Sequence, residues 1–481
     1  MTVHATEKLQ TKPRFTEKIL DFLSPKSNEN FKTVQLQQLS NFQFDQSKIQ
    51  ELPTISFQPS RAKLVIVNDP RLTQFSLNDA VGYALQRHPQ ISQGISVLAG
   101  QNASIDNAKS YYFPQISGGV STGDLTSAQR GRQILSLNAT QMVYDFGKIK
   151  SSVTTEQAKL ELEQANLLVN IEEVSADVAI VIFNIIRYQK STEISRQQVD
   201  GIAKILNIAK LRAQAGISSQ ADPIQAQSFL ESAQSTLIAQ QSLLNQYQQR
   251  LHTLLGFDAT HNQWLIPDDF IQHSNIYQEP QFNTIPKMIV AQAEIEIAKS
   301  QKKQTDLSRY PTLSVKGSVS QALNGVNPSN NKDNGFDSAI MFEANSDFYQ
   351  GGGASARSRA ASYAEEAAKS KLNSVYLQVL DQTKMTRESI ENKQKQMMVL
   401  SSRQGTTIRT RELYQEQYKL GTRTVLDLLN AEMAIHAAVE ELENARYDIY
   451  VSLAQYIAVT GQSRQTYGLQ NSSIQGFEVQ P

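Results

Sequence analysis

From Gly147 to about Arg212 the chain carries almost no glycine or proline, and its residues are mainly Ala, Gln, Glu, Leu and Ile. That stretch reads as one helix, which at 1.5 Å per residue reaches about 100 Å. A second stretch, from about Ala354 to Tyr418, is its twin. Rods of this length suggest a coiled coil or helical array rather than a globular domain. Each is followed by a short break and a further helix, predicted at 219–255 and 424–460. A shorter helical pattern begins at Ser76, where Ser76-Leu77-Asn78-Asp79 fits a hydroxyl-x-x-acid start.

Between the helices the pattern changes to period two. In 312–320, Leu313, Val315 and Val319 share one face with Gly317, against Ser314, Lys316, Ser318 and Ser320. In 338–348, Ile340, Phe342, Ala344 and Phe348 oppose Met341, Glu343, Asn345 and Asp347. The first half repeats this faintly at 115–123 and 133–144, with Leu135, Leu137, Ala139 and Val143 against Ser136, Asn138 and Thr140. A dry face and a wet face over about 9–11 residues suit a tilted membrane strand. On the strands alone, two soluble hairpins fit equally well. Asn324 to Gly335 reads as a polar loop. Tyr111, Tyr112, Phe113 and Tyr310 precede the strands, either as an interfacial aromatic girdle or as packing at a helix–strand junction. Residues 1–74 are polar, Gln/Asn-rich and punctuated by prolines, and read as an extended or weakly ordered arm. Residues 257–284 form a connector in which Trp264 is predicted to be core, and 462–481 form a tail.

The chain is internally duplicated. Gly216 and Gly421, Asp222 and Asp427, Ala226 and Ala431, and Gly256 and Gly461 are each offset by 205 residues. Gly147 and Gly351, each following a second strand, are offset by 204. The repeats are thus 75–256 and 285–461, each running helix, strand, loop, strand, long helix, tight turn, helix. Four strands cannot close a membrane barrel, whereas three copies supply twelve, an even number that can. The same trimer sets twelve helical segments in a cylinder.

Composition narrows the field. Lys+Arg and Asp+Glu both total 46, so the neutral chain has no general electrostatic grip on nucleic acid. There are no cysteines, which excludes disulfides, thiolate metal sites, iron–sulfur clusters and a cysteine nucleophile. The 481 residues correspond to about three domains by length alone. The longest apolar run, Val178 to Ile186, is interrupted by Asn184 and falls short of the ~20 residues of a spanning helix, so membrane residence requires a barrel. Residues 1–30 hold no apolar signal core, which leaves open a cytosolic protein, an upstream start or a trimmed leader. The six histidines are scattered without metal-ligand spacing, and Gly351-Gly352-Gly353 lacks the Lys-Ser/Thr of a phosphate loop. No enzyme, cofactor or metal is expected, and the charges along the rods read as solvated faces.

Several motifs are specific. They are Tyr310-Pro311 before the strands, Tyr144-Asp145-Phe146-Gly147 after them, and above all the run from Tyr418-Lys419-Leu420-Gly421-Thr422-Arg423 through Thr424-Val425-Leu426-Asp427-Leu428-Leu429-Asn430-Ala431, with Asn444-Ala445-Arg446-Tyr447 beyond. Over residues 75–461 the chain resembles the TolC-type outer-membrane factors. The resemblance implies an α+β fold, in which a long antiparallel α-helical barrel continues a transmembrane β-barrel of four strands per protomer. It also implies a homotrimer in the outer membrane of a Gram-negative bacterium, a periplasmic tunnel, a periplasmic adaptor and an inner-membrane ABC or proton-driven pump.

The two helix–turn–helix breaks, marked by Gly216, Gly421 and Thr424, become the periplasmic tips of the tunnel under this resemblance. From the residues alone, Thr424 to Asp427 and Ser219 to Asp222 are helix starts in which an acid complements the dipole. The resemblance adds a gate latch of Tyr418, Arg423 and Asp222, missing one bond because Ala221 stands where the family has a hydroxyl. It also adds a pore constriction at Asp427, with Asn430 replacing a second acidic ring and lowering cation selectivity. Lys316, Glu343, Asn345 and Asp347 are expected to line the barrel lumen. The function implied is a passive exit duct. The Tyr144-Asp145-Phe146-Gly147 and Tyr349-Gln350-Gly351-Gly352 exits look most like members serving type I protein secretion, including large adhesins. Small-molecule efflux and, from another class, a soluble coiled-coil scaffold or adaptor are the alternatives.

Overall fold

The computed structural model describes residues 75–125, 129–260, 262–267, 270–327, 329–470 and 473–478. The arm expected at 1–74 lies outside the described residues. In chain order the elements are helices α1 (Leu77–Arg87) and α2 (Pro89–Ser110), strands β1 (Gln115–Leu125) and β2 (Gln129–Tyr144), and helices α3 (Lys148–Gln214) and α4 (Ala221–Leu255). A short helix α5 (Phe270–His273) and a 3-10 turn (Phe282–Thr284) precede α6 (Pro286–Leu307). Strands β3 (Thr312–Asn324), β4 (Val326–Asn327), β5 (Lys332–Asp333) and β6 (Phe336–Asn345) follow, then α7 (Gly353–Lys419) and α8 (Val425–Thr460). A four-residue helix α9 (Ser463–Thr466) and the strands β7 (Ser473–Ile474) and β8 (Phe477–Glu478) end the described chain. Both long helices, α3 and α7, run to 67 residues. The chain divides into two compact units, one comprising 97–163 and 290–374, the other 75–96, 164–289 and 375–478.

The first unit contains a four-stranded antiparallel sheet in the order β1-β2-β3-β6. Its register sets Ile116 opposite Ala139, Leu137 opposite Val319, and Val315 opposite Phe342, so the apolar residues of all four strands share one face. That face is exposed: Ile116 is 70%, Phe342 65% and Ile340 85% accessible. The alternation read in the sequence is therefore real, with three corrections. A bulge between Met142 and Tyr144 pairs Tyr144 with Leu313 and takes Val143 out of alternation. Strands β2 and β3 extend beyond the alternating segments, to Gln129 and Asn324, because neighbouring strands keep bonding their backbones where side-chain pattern has lapsed. Strand β6 stops at Asn345, whose partner Thr312 follows Pro311; proline has no N–H with which to continue the ladder.

The segment from Asn324 to Gly335 is more ordered than a polar loop. Strands β4 and β5 make a miniature hairpin, with Gly325, Asn331 and Asn334 in the left-handed region. Asn327 is fully buried. Its side-chain amide donates to the Ser320 carbonyl at 3.2 Å and the Gly335 carbonyl at 2.9 Å, and its Oδ1 accepts from Ser329 N at 3.0 Å. After β2, Phe146 and Gly147 turn the chain at φ 59° and 90°. Asp145 then accepts from Gly147 N at 2.8 Å and Ile149 N at 2.5 Å, which launches α3. The Phe146 ring stacks on Tyr310 at 5.3 Å.

In the second unit, α1 opens with the capping box its sequence suggests: Asp79 N donates to Ser76 Oγ and Ser76 N to Asp79 Oδ2. Trp264 is buried edge-on to Phe75. The described end of the chain is tied down too. Gln475, at φ 51°, donates its side-chain amide to the Leu85 carbonyl at 3.0 Å, at the end of α1, and to the His88 carbonyl at 3.3 Å, which also accepts from Ile91 N and Ser92 N. Nearby, Glu172 of α3 is buried and accepts from Ser463 N at 3.1 Å.

Candidate functional site

The two tips stop their first helix by the same device. After α3, Gly216 adopts φ 71°, Gly216 N donates to the Ala213 carbonyl at 3.1 Å and Ile217 N to the Arg212 carbonyl at 2.9 Å. After α7, Gly421 adopts φ 77°, Gly421 N donates to the Tyr418 carbonyl at 3.1 Å and Thr422 N to the Gln417 carbonyl at 3.0 Å. These are matching glycine stops with left-handed caps.

The tips restart differently. Before α8, Thr424 is extended and forms a reciprocal box with Asp427: Asp427 N donates to Thr424 Oγ1 at 3.2 Å and Thr424 N to Asp427 Oδ2 at 3.2 Å. The Thr424 bonds, with the Arg423 charge beyond them, hold the Asp427 carboxyl below its ordinary range. Before α4 the expected Ser219–Asp222 box is absent. Gln220 is the N-cap, already helical at φ −65°, and the residue three on is Pro223, which has no N–H to give. Ser219 Oγ instead accepts from Ala221 N at 3.1 Å.

A compact core fastens the tips, built from Ile205, Leu206 and Ala209 of α3, Ala226 and Ala233 of α4, Tyr418 of α7, and Val425, Leu428 and Leu429 of α8. Tyr418 is 4% exposed, and its hydroxyl is buried with no hydrogen-bond partner among the described residues. Burial pushes the phenol up, the Arg212 charge pulls it down and the Asp222 charge pushes it up again. Half-buried Asp222 thus lies close enough for its charge to act on the Tyr418 phenol. Arg423 is turned elsewhere: its Nε donates to Gln417 Oε1 at 3.1 Å, its guanidinium lies 4.5 Å from the Tyr414 ring centroid, and Nη1 is 3.9 Å from Asp427 Oδ2. Asn430 lies exposed one turn beyond Asp427.

On the sheet, Lys316, Glu343 and Asn345 lie on the polar face, with Lys316 Nζ 2.5 Å from Glu343 Oε2. Asp347 lies past the end of β6, where Gln350 Nε2 donates to it at 2.6 Å. It belongs to the strand-to-helix exit rather than the sheet face.

The outer membrane efflux protein family model matches residues 80–257 and 284–462, the two halves of the repeat. The chain belongs to that family. Within it, the chain is similar to the outer membrane protein TolC of Vibrio cholerae, at 22% identity over 402 residues that cover 79% of this chain and 89% of that protein. Among solved structures, it superposes on CusC with a TM-score of 0.70 at 16% identity, covering 85% of this chain and 98% of that one. It superposes on the outer membrane protein VceC of Vibrio cholerae with a TM-score of 0.68 at 17% identity, covering 80% and 96%. The likeness to these structures extends the α+β architecture to this efflux protein.

The efflux protein also contains charged groups that sequence reading passed over. Arg212, at the end of α3, lies 4.9 Å from the Tyr418 ring centroid. Glu432 is buried with Arg411 Nη1 at 3.5 Å and His436 Nε2 at 3.2 Å. The Glu432–His436 spacing of four was visible as a helix-face pair, but Arg411 comes from α7 and no sequence signal announces it.

Proposed function

We propose that three copies of this chain form one passive exit duct, a twelve-stranded barrel in the outer membrane of a Gram-negative bacterium continued by a helical tunnel into the periplasm. The observation that carries this reading is the sheet: apolar and exposed on one face, polar on the other, with β1 and β6 each lacking a second neighbour among the described strands. An exposed apolar face and two free edges invite aggregation in water. In lipid, only a closed barrel satisfies the edge groups. Twelve strands from three copies close one, with Lys316, Glu343 and Asn345 toward the lumen. The soluble-scaffold alternative accounts for neither feature.

Family membership supports delivery through a periplasmic adaptor from an inner-membrane ABC or proton-driven pump. The tips are the gate. In the closed assembly Arg423 exchanges its Gln417 and long Asp427 contacts for Asp222 of a neighbouring helix pair, where Tyr418 already feels that carboxylate. Such an exchange is inexpensive, since exposed pairs contribute about 0–1 kcal/mol. Asp427 forms the constriction's acidic ring and Asn430 leaves a second ring uncharged. The exit motifs after the strands favour type I protein secretion as the service; the family's description as efflux proteins favours small molecules. Secretome and drug-susceptibility profiles of a deletion strain separate the two.

The decisive experiment is conductance of the purified full chain in planar lipid bilayers. The native protein is expected to insert and conduct weakly, Arg423→Ser to conduct more, and Asp427→Asn to shift the reversal potential toward lower cation preference. A protein that never inserts and stays a lipid-indifferent monomer refutes the duct.

A further inference from the structure

One guanidinium gathers the end of the second-repeat rod. Arg212 Nη1 donates to the Tyr418 carbonyl at 3.1 Å, which also accepts from Gly421 N, and approaches the Lys419 carbonyl at 3.5 Å, both in the last turn of α7. Its Cζ stands 4.9 Å from the Tyr418 ring centroid. A Cβ at Gly421 would sit 3.8 Å from Nη2, so the same group also lies against the turn. Arg212 belongs to the first repeat, and everything it holds here belongs to the second. Around it the two tips also meet through apolar side chains, Ile205, Leu206 and Ala209 packing on Tyr418, Val425 and Leu429, and farther along Gln198 Nε2 donates to Met433 Sδ at 2.9 Å. The apolar contacts tolerate sliding, because apolar attraction is not directional. Arg212 adds a directional constraint at the α7 tip itself, since its planar fork must face both a carbonyl and a ring.

We propose that Arg212 is a positioning residue of the gate, the clamp that holds the α7 tip and the Tyr418 ring against the first-repeat tip. The inference rests on the reading of these tips as a gate. A cation at a helix C-terminus also suits the dipole, but that role needs neither ring nor carbonyl and is available to any exposed Lys. If the tips open by separating α7–α8 from α3–α4, the carbonyl bond and the ring contact break together. The open state then gains relative to the closed one whenever either contact is removed.

Single-channel recording of the purified full chain tests this, with thermal melting of each variant recorded alongside. Arg212→Gln is expected to raise open probability by about tenfold, the effect of ~1.4 kcal/mol on an equilibrium. Arg212→Lys keeps the cation but loses the planar fork, and is expected to restore part of the closure, falling between Arg212→Gln and the native protein. A purely structural Arg212 moves melting and leaves open probability where it was. Native-like open probability in both variants, while Arg423→Ser opens the channel, overturns the clamp and leaves the gate standing. Native-like behaviour in all three removes the gate itself. Should Arg212→Gln fail to assemble, Arg212→Lys decides by itself: open probability above native supports the clamp, and equality refutes it.

Discussion

Gly201 lies in the interior of α3, where replacing glycine by alanine ordinarily stabilises a helix by about 1 kcal/mol. The expectation here is the reverse. A Cβ at Gly201 would fall within the carboxylate of Glu432, on top of Oε1 and 2.8 Å from Cδ, with Cγ at 3.3 Å. Glu432 is 5% exposed and is held by His436 at 3.2 Å and Arg411 at 3.5 Å. To admit the methyl group, the carboxylate must swing away and leave buried His436 and half-buried Arg411 without their acid. Breaking a fully buried ion pair costs about 3–5 kcal/mol. Arg411 retains 36% side-chain exposure, so solvent absorbs part of that loss and about 2–3 kcal/mol is the reasonable figure. Subtracting the helix gain leaves a destabilisation of about 1–2 kcal/mol, a fall of about 1–2 °C in melting temperature for a chain of this size. Differential scanning fluorimetry of the detergent-solubilised full chain measures it. The control is Gly201→Ala in a Glu432→Ala background, where the space is vacant and the alanine should stabilise; the difference is a coupling energy of at least about 1 kcal/mol. A Gly201→Ala protein that melts at or above the native temperature with Glu432 in place refutes the steric argument.

Two further outcomes follow from buried polar groups. Burial pushes the Glu172 carboxyl up to about 7 from its ordinary 4.5, against the opposing pull of Ser463 and Arg464. The folded chain therefore holds a proton that the unfolded chain has released between those values, so this contribution is complete below about pH 4.5 and lost as pH rises through about 7; Glu172→Gln should remove roughly 3 kcal/mol of the native protein's loss of stability between pH 5 and 8, and an unchanged melting-versus-pH difference counts against it. Asn327→Ala strips its amide bonds from the carbonyls of Ser320 and Gly335 and should cost about 1–3 kcal/mol locally. Limited proteolysis should then cut within residues 325–335 while the sheet survives, and native-like resistance there would show that the amide does not hold the miniature hairpin.

Much of this architecture was legible because it follows from local chemistry. The scarcity of glycine and the absence of proline over α3 and α7 favour long helices, period-two alternation gives the two-faced sheet, and Gly421 followed by Thr424 and Asp427 marks one tip almost atom by atom. What escaped has two causes. Some features depend on a neighbour: the polar start of β2 is a strand because β1 bonds to it, and β6 ends early because Pro311 precedes the adjacent strand. Others are long-range charge placements. Nothing near Arg212 in sequence announces a ring contributed from residue 418, and nothing near Glu432 announces that Gly201 makes room for it.

The failed cap at the first tip is the most informative of these differences. Ser219 and Asp222 stand 205 residues before Thr424 and Asp427, with the same spacing between hydroxyl and acid. Yet Asp427 is engaged by its own helix, through Thr424, and Asp222 is not, because Pro223 follows it and the helix begins at Ala221. Duplicated acids have therefore acquired different environments from substitutions around them in the first turn, Pro223 standing where the second tip has Leu428. An acid engaged in a capping box has one oxygen bonded and a fixed rotamer, which suits a ring that sets charge at a constriction. An acid outside any box keeps its lone pairs for partners beyond its own helix, which suits a contact that must form and break. On this argument the division of labour proposed here, Asp427 as pore charge and Asp222 as latch acceptor, agrees with the different starts of the two helices, to which Pro223 contributes. Replacing Pro223 by a residue with an N–H is accordingly the substitution by which the first tip would come to resemble the second.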